Sequence, residues 1–171
     1  TRPEDTTDED WDCVFDVHAK GTLYTNQAVF PWLRSNGGAI VNFGSAAAVR
    51  GNVTFSVYGA AKGAVLAWTR NLAWEWAEHE IRVNAICPVM ASKMKATTLA
   101  TITPEDAERL AADGKHILLN GGQQGDPNEV LAPMIVLLVS DGGRYITGQT
   151  IAVDGGYQML GKRIIDPLGV D

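Results

Sequence analysis

Two short apolar runs place the strongest constraint on this chain. Ala39-Ile40-Val41-Asn42-Phe43 and Ile81-Arg82-Val83-Asn84-Ala85-Ile86-Cys87 are nearly continuous and β-branched at their centres, and the stretch from about Ser56 to His79 between them repeats apolar residues at helical spacing. Runs of this kind read as strands buried on both faces, and a strand–helix–strand order joins two such strands as parallel neighbours through a crossover. The expectation is an open parallel α/β sheet covered by helices, with ligand sites at the carboxyl ends of its strands.

The rest of the chain fits that frame. Thr6, Thr7, Asp8 and Glu9 form a helix-start signature, and Trp11, Val14, Phe15, His18, Thr22, Thr25, Ala28, Val29 and Trp32 then recur as one long amphipathic helix. Pro31 is expected to kink or end it, with Asn36-Gly37-Gly38 completing the break. Arg50 to Phe55 reads as a loop. In the second helix Val57, Ala61, Ala64, Val65, Trp68, Leu72 and Trp76 share a stripe, whereas Trp68, Trp74 and Trp76 cannot all face one way, which points to burial against another subunit as well as the sheet. Pro88 should stop the strand from Ile81. Val89 to Gly125 is irregular, with a short helix after Thr103-Pro104-Glu105, and excursions of this length in compact domains tend to be functional. Asp126-Pro127-Asn128-Glu129 caps a helix running to Ser140, Gly148 to Val153 is a last strand, and Asp154-Gly155-Gly156 reads as a structural turn at a subunit interface. Beyond Tyr157 the tail to Asp171 has little periodicity.

Composition narrows the functions. The 171 residues suit one domain, and 46% hydrophobic with 20% charged residues is ordinary globular composition. A formal net charge of -6 offers no broad basic surface to nucleic acid or anionic lipid. The longest greasy run, Met134 to Val139, is too short for a bilayer and Thr1 to Asp10 is acidic, so a cytoplasmic protein without membrane or nucleic-acid partners is expected. Cys13 and Cys87 lack metal-ligand spacing and read as two reduced, buried thiols.

The chemistry gathers between Ser45 and Lys62. Tyr58 and Lys62 lie four apart, which on a helix sets phenol and ammonium on one face, one turn apart. A phenol with an ordinary pKa of about 10 is a better proton donor and acceptor near neutrality when a positive charge stands beside it. Ser45, at the end of the first apolar run, adds a hydroxyl, and one crevice then collects hydroxyl, phenol, ammonium and the long excursion. That set suits proton transfer to a carbonyl oxygen.

Four motifs in order carry a family resemblance: Tyr58-Gly59-Ala60-Ala61-Lys62, Ser45 thirteen positions earlier, Arg82 to Pro88, and Ile146-Thr147-Gly148-Gln149 leading into Val153-Asp154-Gly155-Gly156. From roughly Asp8 to Gly156 the chain resembles the short-chain dehydrogenase/reductase family. The resemblance implies the C-terminal, catalytic part of a Rossmann-like doubly wound parallel sheet, here lacking its N-terminal half. It also implies NAD or NADP as cofactor, a small alcohol or carbonyl substrate, and a homo-oligomer, either dimer or tetramer. By the same resemblance Tyr58 exchanges the proton, Lys62 supports it and holds the nicotinamide ribose, and Ser45 bonds the substrate oxygen. Pro88, Val89, Met90 and Ser92 face the cofactor, and the segment from Met90 to Gly125 forms a substrate lid.

The chain also departs from the pattern. His18 stands where the family's first helix carries an Asn, making it the fourth catalytic position by alignment, either as a packed core residue or as part of a proton relay. Val89 replaces a usual Gly after Pro88, and aligning Ser92 with a cofactor-contacting Thr needs a one-residue shift. No glycine-rich dinucleotide fingerprint follows a strand and opens a helix, so that half is expected to precede Thr1 in a longer chain. Two other readings fit the same fold: a non-catalytic scaffold or assembly subunit, and a lyase or epimerase, since proton transfer by Tyr58 does not itself require hydride. The lid, rich in Ala, Thr and Met, favours an uncharged substrate.

Overall fold

A computed structural model describes residues 2–52, 54–91, 102–114 and 116–159. Its sheet has strands β1 (Gly38–Phe43), β2 (Ile81–Pro88) and β3 (Thr150–Val153), all parallel and in that spatial order. Register runs from Gly38 opposite Ile81 to Phe43 opposite Ile86, and from Ala85 opposite Thr150 to Pro88 opposite Val153. β2 therefore sits in the middle, and Ile81, Val83, Ala85, Ile86 and Cys87 are all buried. Each large aliphatic removed from water there contributes roughly 2 kcal/mol. β2 ends at Pro88, which has no N–H to give, and beyond it the Val89 N–H still donates to the Val153 carbonyl at 3.0 Å. β1 departs from the expectation of burial on both faces. Phe43 is 46% exposed, and β1 has a partner on only one edge among the described residues.

The first helix starts where its cap signature places it. Thr7 Oγ1 accepts from the Asp10 N–H at 3.1 Å while the Asp10 carboxylate accepts from the Thr7 N–H at 3.4 Å, closing a capping box. The helix is α1 (Asp8–Phe15) and α2 (Gly21–Asn36), joined without a break by a wider π-helical turn over Asp16–Lys20. Pro31 lies inside α2 and does not end it: a proline forfeits one donor, whereas the stop comes at Gly37, whose φ of 69 turns the chain away. Cys13 is exposed, correcting the expectation of two buried thiols; Cys87 is buried.

Ser45 caps a short helix α3 (Ala46–Arg50), and α4 (Ser56–Glu75) follows, packing Val57, Ala61, Val65, Leu66, Leu72 and Ala73 inward. The three tryptophans divide. Trp68 Nε1 donates to Asn26 Oδ1 at 3.1 Å, Trp76 stacks on Phe30 at 4.6 Å, and Trp74 is 87% exposed. A buried polar network ties α2, β1 and α4 together: Asn26 and Asn42 exchange amide hydrogen bonds at 3.0 and 3.1 Å, and Asn42 also donates to Thr69 Oγ1 at 3.0 Å. Every one of these polar atoms has a partner, as burial demands.

The excursion after β2 leaves and returns side by side. Met90 lies bridged opposite Gly125, and the Ala91 N–H donates to the Gly125 carbonyl at 3.0 Å. Between these feet the described part contains a helix at Pro104–Gly114. Asp126 then caps the next helix, Oδ1 accepting from the Asn128 and Glu129 N–H groups at 2.8 and 3.3 Å, and that helix runs over Pro127–Leu131 and Ala132–Val139. Arg82 Nη1 donates to the Leu138 carbonyl at 2.6 Å, pinning its end to β2. Among the described residues no helix is long and apolar enough to cross a membrane, and no three His, Cys, Asp or Glu side chains gather as metal ligands.

Candidate active site

The candidate site forms where β1, α4 and the π-helical turn meet. β1 ends at Phe43, and Gly44 packs so tightly that a Cβ there would lie 2.6 Å from Leu66 Cδ2 and 2.7 Å from Cys87 Sγ. Ser45 follows in extended conformation, and its Oγ accepts from the Ala47 N–H at 3.2 Å as the cap of α3. The hydroxyl keeps its own proton and a second lone pair for another partner.

Tyr58 sits in the first turn of α4, with Lys62 one turn on. Its ring is met edge-on by the His18 imidazole, centroids 4.9 Å apart at 85°, and by Phe55 at 5.8 Å and 67°. The Lys62 ammonium lies 5.8 Å from the Tyr58 centroid and donates to the Phe43 carbonyl at 2.8 Å. Gly59 permits this assembly, since a Cβ at that position would stand 3.0 Å from the Ala47 carbonyl oxygen. Close approach of α4 to α3 is therefore a property of one missing methyl group.

His18 is carried by the π-helical turn, whose extra residue changes the direction in which side chains leave the helix. The Thr22 hydroxyl donates to the His18 carbonyl at 2.8 Å, fixing the turn from the next helical layer. Burial, and secondarily the Lys62 charge, push the His18 pKa below the ordinary 6.5, so the imidazole is neutral near pH 7. Burial also holds the Lys62 ammonium below its usual range, offset in part by Cys87.

Of the four expected catalytic residues, His18 and Tyr58 are in ring contact and the Lys62 ammonium lies 5.8 Å from the Tyr58 ring centre, while Ser45 lies two residues beyond Phe43, whose carbonyl anchors Lys62. Among the expected cofactor-side residues, Pro88 ends β2, Val89 packs against a cluster of Ala46, Ile117 and Tyr157, and Met90 sits at the foot of the excursion. Ser92 lies outside the described residues. The Phe43 carbonyl escaped sequence reasoning because a backbone acceptor has no residue signature. Phe55 lies just before a helix start, and only its aromatic type hinted that it packs on Tyr58. A cleft of about 250 Å³ between the N-terminal segment and the start of α4, lined by Arg2, Pro3, Glu4, Asn52, Thr54, Ser56 and Asp106, includes none of the expected site residues.

A twisted parallel sheet with polar groups gathered at its strand ends defines the Rossmann class of nucleotide-binding folds. A family model described as enoyl-(acyl carrier protein) reductase matches residues 1–158. The chain is 37% identical over 156 residues to a short-chain reductase protein of Streptomyces niveus, covering 87% of this chain and 56% of that protein. It is also 37% identical over 150 residues to a 3-oxoacyl-[acyl-carrier-protein] reductase of Thermotoga maritima, covering 87% of this chain and 57% of the relative. The solved structure of a 3-ketoacyl-(acyl-carrier-protein) reductase from Brucella melitensis, complexed with NADH, superposes with a TM-score of 0.76 at 27% identity, covering 93% of this chain and 62% of that one. The chain belongs to the short-chain dehydrogenase/reductase family. It spans a little over half the length of the curated relatives it matches.

Proposed function

We propose that the protein of which this chain forms part is an oxidoreductase that transfers hydride between NAD or NADP and a small, uncharged alcohol or carbonyl compound. The observation that carries the reading is the contact set of His18, Tyr58 and Lys62, assembled from two helices and tied to β1 through the Phe43 carbonyl. The relatives named as reductases, and the neighbour that holds NADH, support the same reaction class.

In this reading Tyr58 donates its phenolic proton to the carbonyl oxygen being reduced, and takes it back in the reverse direction. Ser45 donates a second hydrogen bond to that oxygen, which helps most as negative charge develops on it. Lys62 has three donors; the Phe43 carbonyl takes one, leaving two for a ribose diol, and this donor set fits a nicotinamide nucleotide. Bound there, the cofactor supplies or accepts the hydride. In the same reading His18, neutral near pH 7 and in ring contact with Tyr58, would take part in returning a proton to the phenol. Pro88, Val89, Met90 and Ser92 would border the nicotinamide, and the Met90–Gly125 excursion would cover the substrate. The exposed aromatic residues of α2 and α4 support a homo-oligomer, either dimer or tetramer.

The test is direct titration of the full-length protein with NADH and NADPH, watching nicotinamide fluorescence. Binding of one or both is expected, and a full-length protein that binds neither sinks the oxidoreductase reading. Tyr58→Phe should abolish turnover and leave cofactor binding largely intact, because the ring and the Lys62 donors remain.

A further inference from the structure

Tyr157 has no part in the chemistry just described, yet it is buried at 7% exposure where three pieces of the site meet. Its ring packs with Ala46, the residue after Ser45, with Val89 at the exit of β2, and with Ile117 on the returning limb of the excursion. The Arg50 guanidinium lies over the same ring, 4.4 Å from its centroid, and Nη1 donates to the Tyr157 carbonyl at 3.3 Å. Asn52 Nδ2 donates to the Tyr157 hydroxyl at 3.4 Å. Tyr157 thus touches α3 at its first and last residues, Ala46 and Arg50, and reaches Asn52 just beyond it.

The turn that presents Tyr157 is itself fixed. Asp154 is buried, with Oδ1 accepting from the Gly156 N–H at 2.9 Å and Oδ2 from the Gln158 N–H at 2.8 Å. The Gly155 carbonyl accepts from the N–H groups of Leu118 and Leu119 at 2.8 and 3.1 Å, and Gln158 Nε2 donates to the Cys87 carbonyl at 3.3 Å. Gly155 and Gly156 adopt φ of 63 and 88, and a Cβ on Gly156 would meet Leu118 Cδ1 at 2.9 Å. The turn is held from β2 and from the excursion at once, and Tyr157 transmits that fixation to the Ser45 segment.

We propose that Tyr157 is a positioning residue that couples the Ser45–Phe55 segment to the returning limb of the excursion, so that the substrate side of the site is held as one unit. The proposal rests on the oxidoreductase reading only for the meaning of that site; the coupling is a property of the chain. A packed aromatic joining three segments limits their independent motion, and small misplacements of catalytic groups are costly.

Hydrogen exchange on the full-length protein, followed by mass spectrometry, tests it. Tyr157→Leu should raise exchange about tenfold in peptides covering residues 46–55 and 117–122 together, while peptides of β2 keep their protection. Tyr157→Phe keeps the ring and loses only the hydroxyl that meets Asn52, so it should restore protection at 117–122 and leave a smaller rise confined to 50–55. If Tyr157→Leu does not fold, Arg50→Met, which removes the guanidinium from the ring, should loosen 46–55 alone. Unchanged exchange, a uniform rise over the whole chain, or a Phe variant indistinguishable from Leu overturns the coupling. NADH and NADPH titration of the wild type runs alongside; failure to bind either cofactor overturns the oxidoreductase reading and leaves the exchange result to decide the role of Tyr157.

Discussion

His18 gives the site its dependence on pH. Its folded pKa is lowered by burial and by Lys62, so between the ordinary 6.5 and that lower value the unfolded chain binds more protons than the folded one. Stability from this group is therefore fully present above about pH 6.5 and is lost as pH falls through the interval below it. His18→Asn should flatten that acid slope in urea denaturation followed from about pH 7 to pH 5. If His18 also relays protons to Tyr58, the same substitution removes the acid limb of the pH–rate profile; a profile that stays unchanged reduces His18 to packing. At this scale the sequence was informative about side chains and silent about backbone. Tyr58 and Lys62 could be paired from a spacing of four, whereas the Phe43 carbonyl that receives the Lys62 proton donor depends on where β1 ends relative to α4.

Elements bring these residues together through close approach and buried polarity. Gly59 lets α4 lie against α3, and its Cβ would come within 3.0 Å of the Ala47 carbonyl. Gly59→Val should displace Tyr58 from Ser45 and lower kcat/KM by about 10²-fold, with far-UV circular dichroism unchanged, because an error near 1 Å in placement has that effect. In the polar network, Thr69→Val removes the oxygen that accepts from Asn42, leaving a buried amide N–H short of a partner. A loss of about 1–3 kcal/mol in urea denaturation is expected; a loss near zero would show that the network relaxes around the methyl group. Helix starts were legible because caps use specific side chains, Thr7 with Asp10 and Asp126 with its two N–H donors. The π-helical turn was not, since one extra residue barely alters the apolar rhythm on either side of it. α3 is too short for periodicity to report, and Pro31 misled because a helix held at both sides by packing tolerates one missing donor.

The whole molecule shows large apolar side chains that this chain alone leaves uncovered. Trp32 on α2 is 72% exposed and Trp74 on α4 is 87% exposed, and the two helices are joined through Asn26 and Trp68 and through Phe30 and Trp76. If a second copy covers these side chains, Trp32→Glu and Trp74→Glu together should shift the full-length protein to smaller species in sedimentation velocity, and an unchanged sedimentation coefficient would remove them from the assembly. Parallel topology was legible from the strand–helix–strand order. The partial exposure of β1 was not, because burial depends on what packs over the faces of a strand and not on the strand's own residues.

The bridged feet of the excursion, Met90 opposite Gly125, carry a consequence for how far this segment can vary in length. The entropy of closing a loop rises only with the logarithm of its length, so a doubling adds about 0.6 kcal/mol, while the excursion is held at its feet and again where Leu118 and Leu119 donate to the Gly155 carbonyl. Length added between the Met90 foot and Pro104 is therefore expected to cost little stability, whereas length added beside Ile117 would also loosen the packing of Tyr157 and Ala46.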